Sequence, residues 1–342
     1  MSLAFVVCPV RIHDRGLCLD LCRQSDIARA LCEEARASSG VDVLEVLTSG
    51  SDAELGVAQP VCQGVFVLAM AELLASEGIV PGLVSGLSLG GLIAACLAGA
   101  VDRADLFAML AVLQLADFPR PRVSGGAVES VDGSEPEGSV AVCVIPYDLD
   151  PHEFCRELRI PELFLMTDSG PVNAMRSGRR ISLVGSRETI DQFVANCPAE
   201  ARVAVVLDVG KPPHSPLRRA FVAETVDPLL AKMTFRTPRI PVVSCLDEKP
   251  LTTAADIRQL FRDNNLRPAS VPFMTSGLDR HGVEACLIVG PSMTSGFIGW
   301  PVPSAHVAQP QDVHEARRLL HELNVKPGWP ADGGATREGI HA

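Results

Sequence analysis

Apolar and polar positions alternate along the chain in two rhythms. Residues 3–7 form an unbroken apolar run, as a strand buried on both faces would, and residues 18–37 carry apolar side chains at helical spacing. Residues 59–75 are apolar over most of their surface, which predicts an interior helix. Residues 81–91 read as a short strand running through a tight turn into a helix over 89–99. Asp102 stands where an N-cap belongs, ahead of a helix over 103–116. Residues 119–138 break the pattern: they are polar, rich in Gly, Ser and Pro, and read as a mobile loop. Strands at 140–145, 180–184 and 203–207 then alternate with helices at 151–158 and 188–196. Beyond them come a helix at 217–232, a strand at 241–244, a helix at 255–261, a strand at 285–289 and a helix at 312–323. The tail, 327–342, contains Gly and Pro and reads as disordered.

The β-α-β-α-β alternation over 139–207 resembles a small ferredoxin-like insert. At 342 residues the chain is long enough for one large core around it. Aromatics make up only 4% of the chain, so aliphatic side chains and alanine must do most of the packing. A net charge of −11 argues against nucleic acid or an anionic membrane as a general partner. The eleven cysteines are odd in number and irregular in spacing, and neither Cys18 nor Cys22 has the companions a metal site needs. They read as buried small hydrophobes in a reducing cytoplasm, with no metal. The start of the chain lacks the basic residues of a signal peptide, and apolar stretches such as 90–101 are too short to cross a membrane. A cytoplasmic protein is expected.

Two short motifs carry chemistry. Gly86-Leu-Ser88-Leu-Gly90 has the G-x-S-x-G form and lies between a predicted strand and a predicted helix. A nucleophile held on such a turn needs small neighbours, and the helix N-terminus beyond it offers free N–H groups to an oxyanion. Pro212-Pro-His214-Ser-Pro-Leu217 locks a histidine between prolines, which restricts its backbone as a fixed general base requires. Taken together they suggest a serine nucleophile and its base.

With these residues in place, the sequence resembles a known family. V-S-G-L-S-L-G-G followed by I-A-A-C-L-A-G-A is similar to the G-[HL]-S-L-G-E-Y-x-A-L-x-A-G-A segment of malonyl-CoA:ACP transacylases and polyketide-synthase acyltransferases. Ala58-Gln59-Pro60 resembles that family's T-Q-P, and P-P-H-S-P-L its histidine loop. F-R-T-P-R-I-P-V-V-S at 235–244, Asn264-Asn-Leu-Arg-Pro268 and Val289-Gly-Pro-Ser292 resemble three later family segments, in the same order. The resemblance implies an α/β fold: a hydrolase-like parallel-sheet core from residues 1–138 and 208–326, with the ferredoxin-like subdomain inserted at 139–207. It implies ping-pong acyl transfer, in which Ser88 is acylated by a thioester and His214 relays the proton. The acyl group then passes to the phosphopantetheine arm of an acyl carrier protein, and no bound cofactor is needed. Oxyanion donors would be the backbone N–H of Leu89 and that of Val10 or Arg11. The backbone carbonyl of Asn264 would orient His214, and Gln59 and Leu113 would border the substrate.

The departures from the family are specific. Its N-terminal P-G-Q-G is replaced by Cys8-Pro-Val-Arg-Ile, and the E-Y after the elbow by Gly91-Leu92. Malonyl-specific members carry an arginine twenty-five residues past the serine, where this chain has Leu113 and no Arg or Lys from Ala104 to Pro119. That arginine pairs with a carboxylate, so its absence points to a neutral acyl group and to specialised metabolism, polyketide or related. Three other readings stay open: an editing hydrolase that clears carrier proteins, a malonyl transferase with a cation relocated to Arg11 or Arg176, and a silent relative that only binds carrier protein. Arg176, Arg179, Arg180, Arg218 and Arg219 are either a dock for an acidic carrier protein or a solvated charged face.

Overall fold

The computed structural model describes residues 2–9, 15–113, 120–121, 138–173, 175–209, 212–291 and 298–325. Strand β1 (Ser2–Val7) leads into helices α1 (Arg15–Gln24), α2 (Asp26–Ser39), α3 (Val43–Ser49) and α4 (Asp52–Ser76). Next come β2 (Leu83–Gly86), α5 (Leu89–Leu97), α6 (Arg103–Val112) and β3 (Arg120–Pro121). The insert contributes β4 (Gly138–Ile145), α7 (Pro151–Glu157), β5 (Phe164–Pro171), β6 (Arg179–Gly185), α8 (Arg187–Ala195) and β7 (Arg202–Val209). A broken helical run follows: a 3-10 turn (Pro216–Arg218), α9 (Arg219–Phe221), a π turn (Val222–Val226) and α10 (Asp227–Leu230). The chain closes with β8 (Val242–Ser244), α11 (Ala254–Asp263), β9 (Ala269–Ser270), α12 (Val271–Arg280), β10 (Val283–Val289), β11 (Ser304–Val307) and α13 (Val313–Glu322).

Five strands form a parallel sheet in the order β11-β10-β1-β2-β8. Strand side chains alternate between faces, so β1 serves two cores. Leu3, Phe5 and Val7 join the main cluster under α1–α6, while Ala4, Val6 and Cys8 pack with Val243, Met274 and Leu278 on the other side. A parallel sheet covered on both faces needs such continuous apolar strands, as the sequence of β1 foretold.

The second sheet runs β3-β7-β4-β6-β5-β9. Its β4-α7-β5-β6-α8-β7 succession has the ferredoxin-like β-α-β-β-α-β form, with one strand more than the sequence pattern revealed. Strand β5 had no counterpart among the predicted elements: Asp168, Ser169 and Gly170 interrupt its apolar pattern, Gly170 has a φ of 77° and the strand is irregular there. The sixth strand, β9, belongs to the core side of the chain and pairs in parallel with β5.

Other expectations shift. The helix predicted over 18–37 is two helices, because Ser25 stops the first and caps the second through its side chain. Asp102 has N-cap backbone geometry without a side-chain cap bond, and its carboxylate instead holds Arg236 at 2.6 and 2.9 Å. The interior helix begins earlier than residue 59, at a capping box made by Ser51 and Glu54. At 25 residues α4 is long and apolar enough to cross a membrane, contrary to the sequence reading, but 83% of its most apolar window is buried in the core. Helix α12 and strand β11 had no counterpart among the predicted elements. All cysteines except Cys155 and Cys197 are buried. The tail from 327 and all of the 119–138 loop but β3 and Gly138 lie outside the described residues.

Candidate active site

Ser88 stands just past the carboxyl end of β2, an inner strand of the parallel sheet, where open α/β sheets present ligands. It is the N-cap of α5, with φ 53° and ψ −123°, a strained conformation of the kind concentrated at functional turns. Two glycines make the turn possible. A Cβ on Gly90 would come within 2.0 Å of the Val7 carbonyl oxygen, and one on Gly86 within 2.2 Å of Gly90 backbone atoms. The N–H of Leu89 belongs to the first helical turn, which has no carbonyl partners within the helix. The Ser88 N–H itself donates to Cys245 Sγ at 3.2 Å.

His214 is the other half of the site. It is buried, with φ 56°, just before the 3-10 turn that opens the broken helical run. Its Nε2 lies 2.6 Å from Ser88 Oγ, and its Nδ1 lies 3.2 Å from the Arg267 carbonyl oxygen. With Nδ1–H donating to that carbonyl, Nε2 is left to accept the serine proton. The same segment also fastens the loop, since the Ser215 N–H donates to the Asn265 carbonyl at 3.2 Å.

The orienting carbonyl therefore belongs to Arg267 and not to Asn264. Asn264 is the C-cap of α11 and keeps helical dihedrals, so its carbonyl continues the helix end. Arg267 precedes Pro268, and a residue before proline is steered away from helix. That rule was available in the sequence and would have singled out Arg267.

Burial lowers the pKa of His214 from the ordinary 6.5 to about 4; the Arg267 carbonyl opposes this, and the nearby charge of Arg218 adds to it. The imidazole is thus neutral at physiological pH, the form a general base needs.

The remaining sequence candidates fall in several places. Gln59 is buried in α4, and Gln63, one turn later and unnoticed in the sequence, donates to the Cys8 carbonyl at 2.7 Å. Gln63 thereby ties α4 to the end of β1, just before the proposed donors Val10 and Arg11, which lie outside the described residues. Leu113 is the C-cap of α6 and is buried in the main core. The only basic residue of α6 is Arg103 at its far end, which pairs with Glu34 and Glu72. The basic cluster divides. Arg218 is buried over the Phe221 ring at 3.9 Å, Arg179 is paired with Asp168, Arg176 lies 5.1 Å from the Tyr147 ring centre, and Arg219 is exposed. Among the described residues no group of His, Cys, Asp and Glu could hold a metal ion.

The fold agrees with the comparisons. The malonyl-CoA:acyl carrier protein transacylase of Escherichia coli K12 is 26% identical over 280 residues, which is 81% of this chain and 84% of that one. The chain is similar to the malonyl-CoA:ACP transacylases. It is also 28% identical over 190 residues to a phenolphthiocerol/phthiocerol polyketide synthase of Mycobacterium tuberculosis, over 56% of this chain and 8% of that one. The crystal structure of an acyl-carrier-protein S-malonyltransferase from Bartonella henselae superposes with a TM-score of 0.75 at 20% identity, covering 95% of this chain and all of the other. A malonyl-transacylase solved in complex with its type II polyketide-synthase acyl carrier protein gives 0.72 at 21% identity, covering 93% of this chain and 100% of the other. At those identities the solved structures establish the two-part α/β fold. No family model matches the sequence.

Proposed function

We propose that this protein is an acyltransferase that carries a neutral acyl group on Ser88, from a coenzyme A or carrier-protein thioester to an acyl carrier protein. The observation that carries the reading is the 2.6 Å contact of Ser88 Oγ with His214 Nε2, with the far ring nitrogen held on a backbone carbonyl. In the first half-reaction Ser88 Oγ bonds to the thioester carbonyl carbon while Nε2 takes the hydroxyl proton. The C–S bond then breaks and the proton goes to the leaving thiolate. In the second, Nε2 takes the proton of the carrier's phosphopantetheine thiol. The sulfur attacks the acyl ester, and the proton returns to Ser88. Leu89 N–H would stabilise the oxyanion in both, with a second donor from Val10 or Arg11.

The neutral-acyl assignment is supported by α6. Its C-terminal half carries no cation, and Leu113 stands where malonyl-specific members have their arginine. Burying an unpaired carboxylate costs several kcal/mol, roughly, whereas an aliphatic acyl chain is accepted there. The departures from the malonyl pattern, together with the polyketide-synthase relative, favour a role in polyketide or related specialised metabolism.

A second reading retains malonyl and takes its cation from the histidine loop. Arg218 is buried four residues after His214, and its charge is felt at the imidazole. Intact-mass measurement after incubation with acetyl-, butyryl- and malonyl-CoA separates the two. The proposal expects neutral acyl adducts on Ser88, none on Ser88→Ala, and malonyl loading slower by at least about 100-fold. Efficient malonyl loading that Arg218→Met abolishes would establish the second reading instead. An adduct on another residue, such as Cys96, would overturn Ser88 as the nucleophile.

A further inference from the structure

A largely buried ion pair of the inserted subdomain lies against the segment that holds His214. Asp168 on β5 is 5% exposed, and its carboxylate accepts Arg179 Nε at 2.9 Å and Arg179 Nη2 at 2.5 Å. It also accepts the Gly170 N–H at 3.0 Å and the Ser270 hydroxyl at 3.4 Å. Ser270 is in β9, which pairs with β5 in the register Thr167↔Ala269 and Asp168↔Ser270. Two residues before β9 is Arg267, whose carbonyl holds His214 Nδ1.

The connections close into a ring. The Ser270 N–H donates to the Cys245 carbonyl at 2.7 Å, and Cys245 Sγ accepts the Ser88 N–H. From Ser88 the path returns through His214 and Arg267 to Ser270. Asp168 attaches the insert to this ring at Ser270, and Arg179 holds Asp168 in turn. Neither touches the reacting atoms, yet Asp168 is fixed against the segment that aims the base. A bidentate, largely buried carboxylate–guanidinium pair is stiff and directional, as a surface pair is not.

We infer that Asp168, held by Arg179, is a positioning residue for His214, anchoring β9 so that the Arg267 carbonyl stays on Nδ1. The inserted sheet thus acts on catalysis through the placement of the base. Its removal of freedom from the 267–270 segment keeps Nε2 within reach of Ser88, where a shift near 1 Å costs about 100-fold in rate.

The inference builds on the acyl-Ser88 reading, and the test separates the two. A fluorophosphonate labels an activated serine whatever acyl group the enzyme prefers: the O–P bond forms, fluoride leaves, and His214 takes the proton. The rate of labelling at Ser88 is measured for the unaltered protein, Asp168→Asn, His214→Ala and the double variant. Asp168→Asn should label about 10- to 100-fold more slowly than the unaltered protein. In the His214→Ala background the same change should have no effect on the residual rate, because a residue acting through the histidine has nothing left to act on. Normal labelling of folded Asp168→Asn, or an equal loss in both backgrounds, overturns the inference and leaves Ser88 in place. An unaltered protein that the reagent does not label at Ser88 overturns both. If Asp168→Asn does not fold, Arg179→Lys and Ser270→Ala, each alone and with His214→Ala, carry the same comparison with the same two outcomes.

Discussion

The base role proposed for His214 rests on a buried, neutral imidazole, and this has consequences on both sides of folding. Its pKa of about 4 should make Ser88 acylation rise with pH from that region and stay level from pH 6 to 8. Single-turnover loading followed by intact mass would check this, and a half-maximal rate near pH 6.5 would mean a solvated base. Between about 4 and the ordinary 6.5 the folded protein binds one proton fewer at this site than the unfolded chain. Stability from this source is therefore fully present above 6.5 and is lost as pH falls through that window. Denaturant midpoints measured across pH should fall more steeply for the unaltered protein than for His214→Gln. At pH 7, His214→Ala should slow both half-reactions by about 10²–10⁴-fold.

The strand–turn–helix around Ser88 makes a sharper prediction at the scale of one element. Gly90 and Gly91 are adjacent in α5, but only at Gly90 would an added Cβ collide with backbone. Gly90→Ala would force a Cβ into the Val7 carbonyl and should destabilise the fold by about 1–3 kcal/mol or more while abolishing loading. At Gly91 the nearest atoms to an added Cβ are 3.4 and 3.7 Å away. Gly91→Ala should therefore keep activity and, inside a helix, gain up to about 1 kcal/mol. Thermal melts of the two variants distinguish them directly; equal losses would mean that the turn has another geometry. Helix α6 gives a second test. Leu113→Arg should raise malonyl loading and depress loading of a neutral chain, at a cost in stability because Leu113 is buried in the core. Unchanged selectivity in the folded variant would remove Leu113 from the substrate pocket.

Whether the whole molecule transfers or hydrolyses depends on what reaches acyl-Ser88. A transferase should hold its ester for minutes without carrier protein and discharge quickly when a holo carrier is added; rapid release of free acid regardless of carrier would favour the editing hydrolase. Much of this molecule was legible before the structure. The apolar run of β1, the glycines of G-L-S-L-G and the proline-bound His214 each depend on neighbours in sequence, so local pattern was enough to find them. The order of the family-like segments added the α/β core, and the β-α-β-α-β alternation added the ferredoxin-like insert. What remained hidden depends on residues far apart in the chain. Strand β9 is two residues long and has no pattern of its own; it exists because β5 offers an edge to pair with. The contacts Arg267–His214, Gln63–Cys8 and Asp168–Ser270 join positions 53, 55 and 102 residues apart. The sequence determined which side chains could do chemistry, because motif residues act through local backbone geometry. Only the tertiary structure decided which carbonyl aims the base and which ion pair holds it there, because hydrogen bonds across the fold leave no periodic trace in the chain.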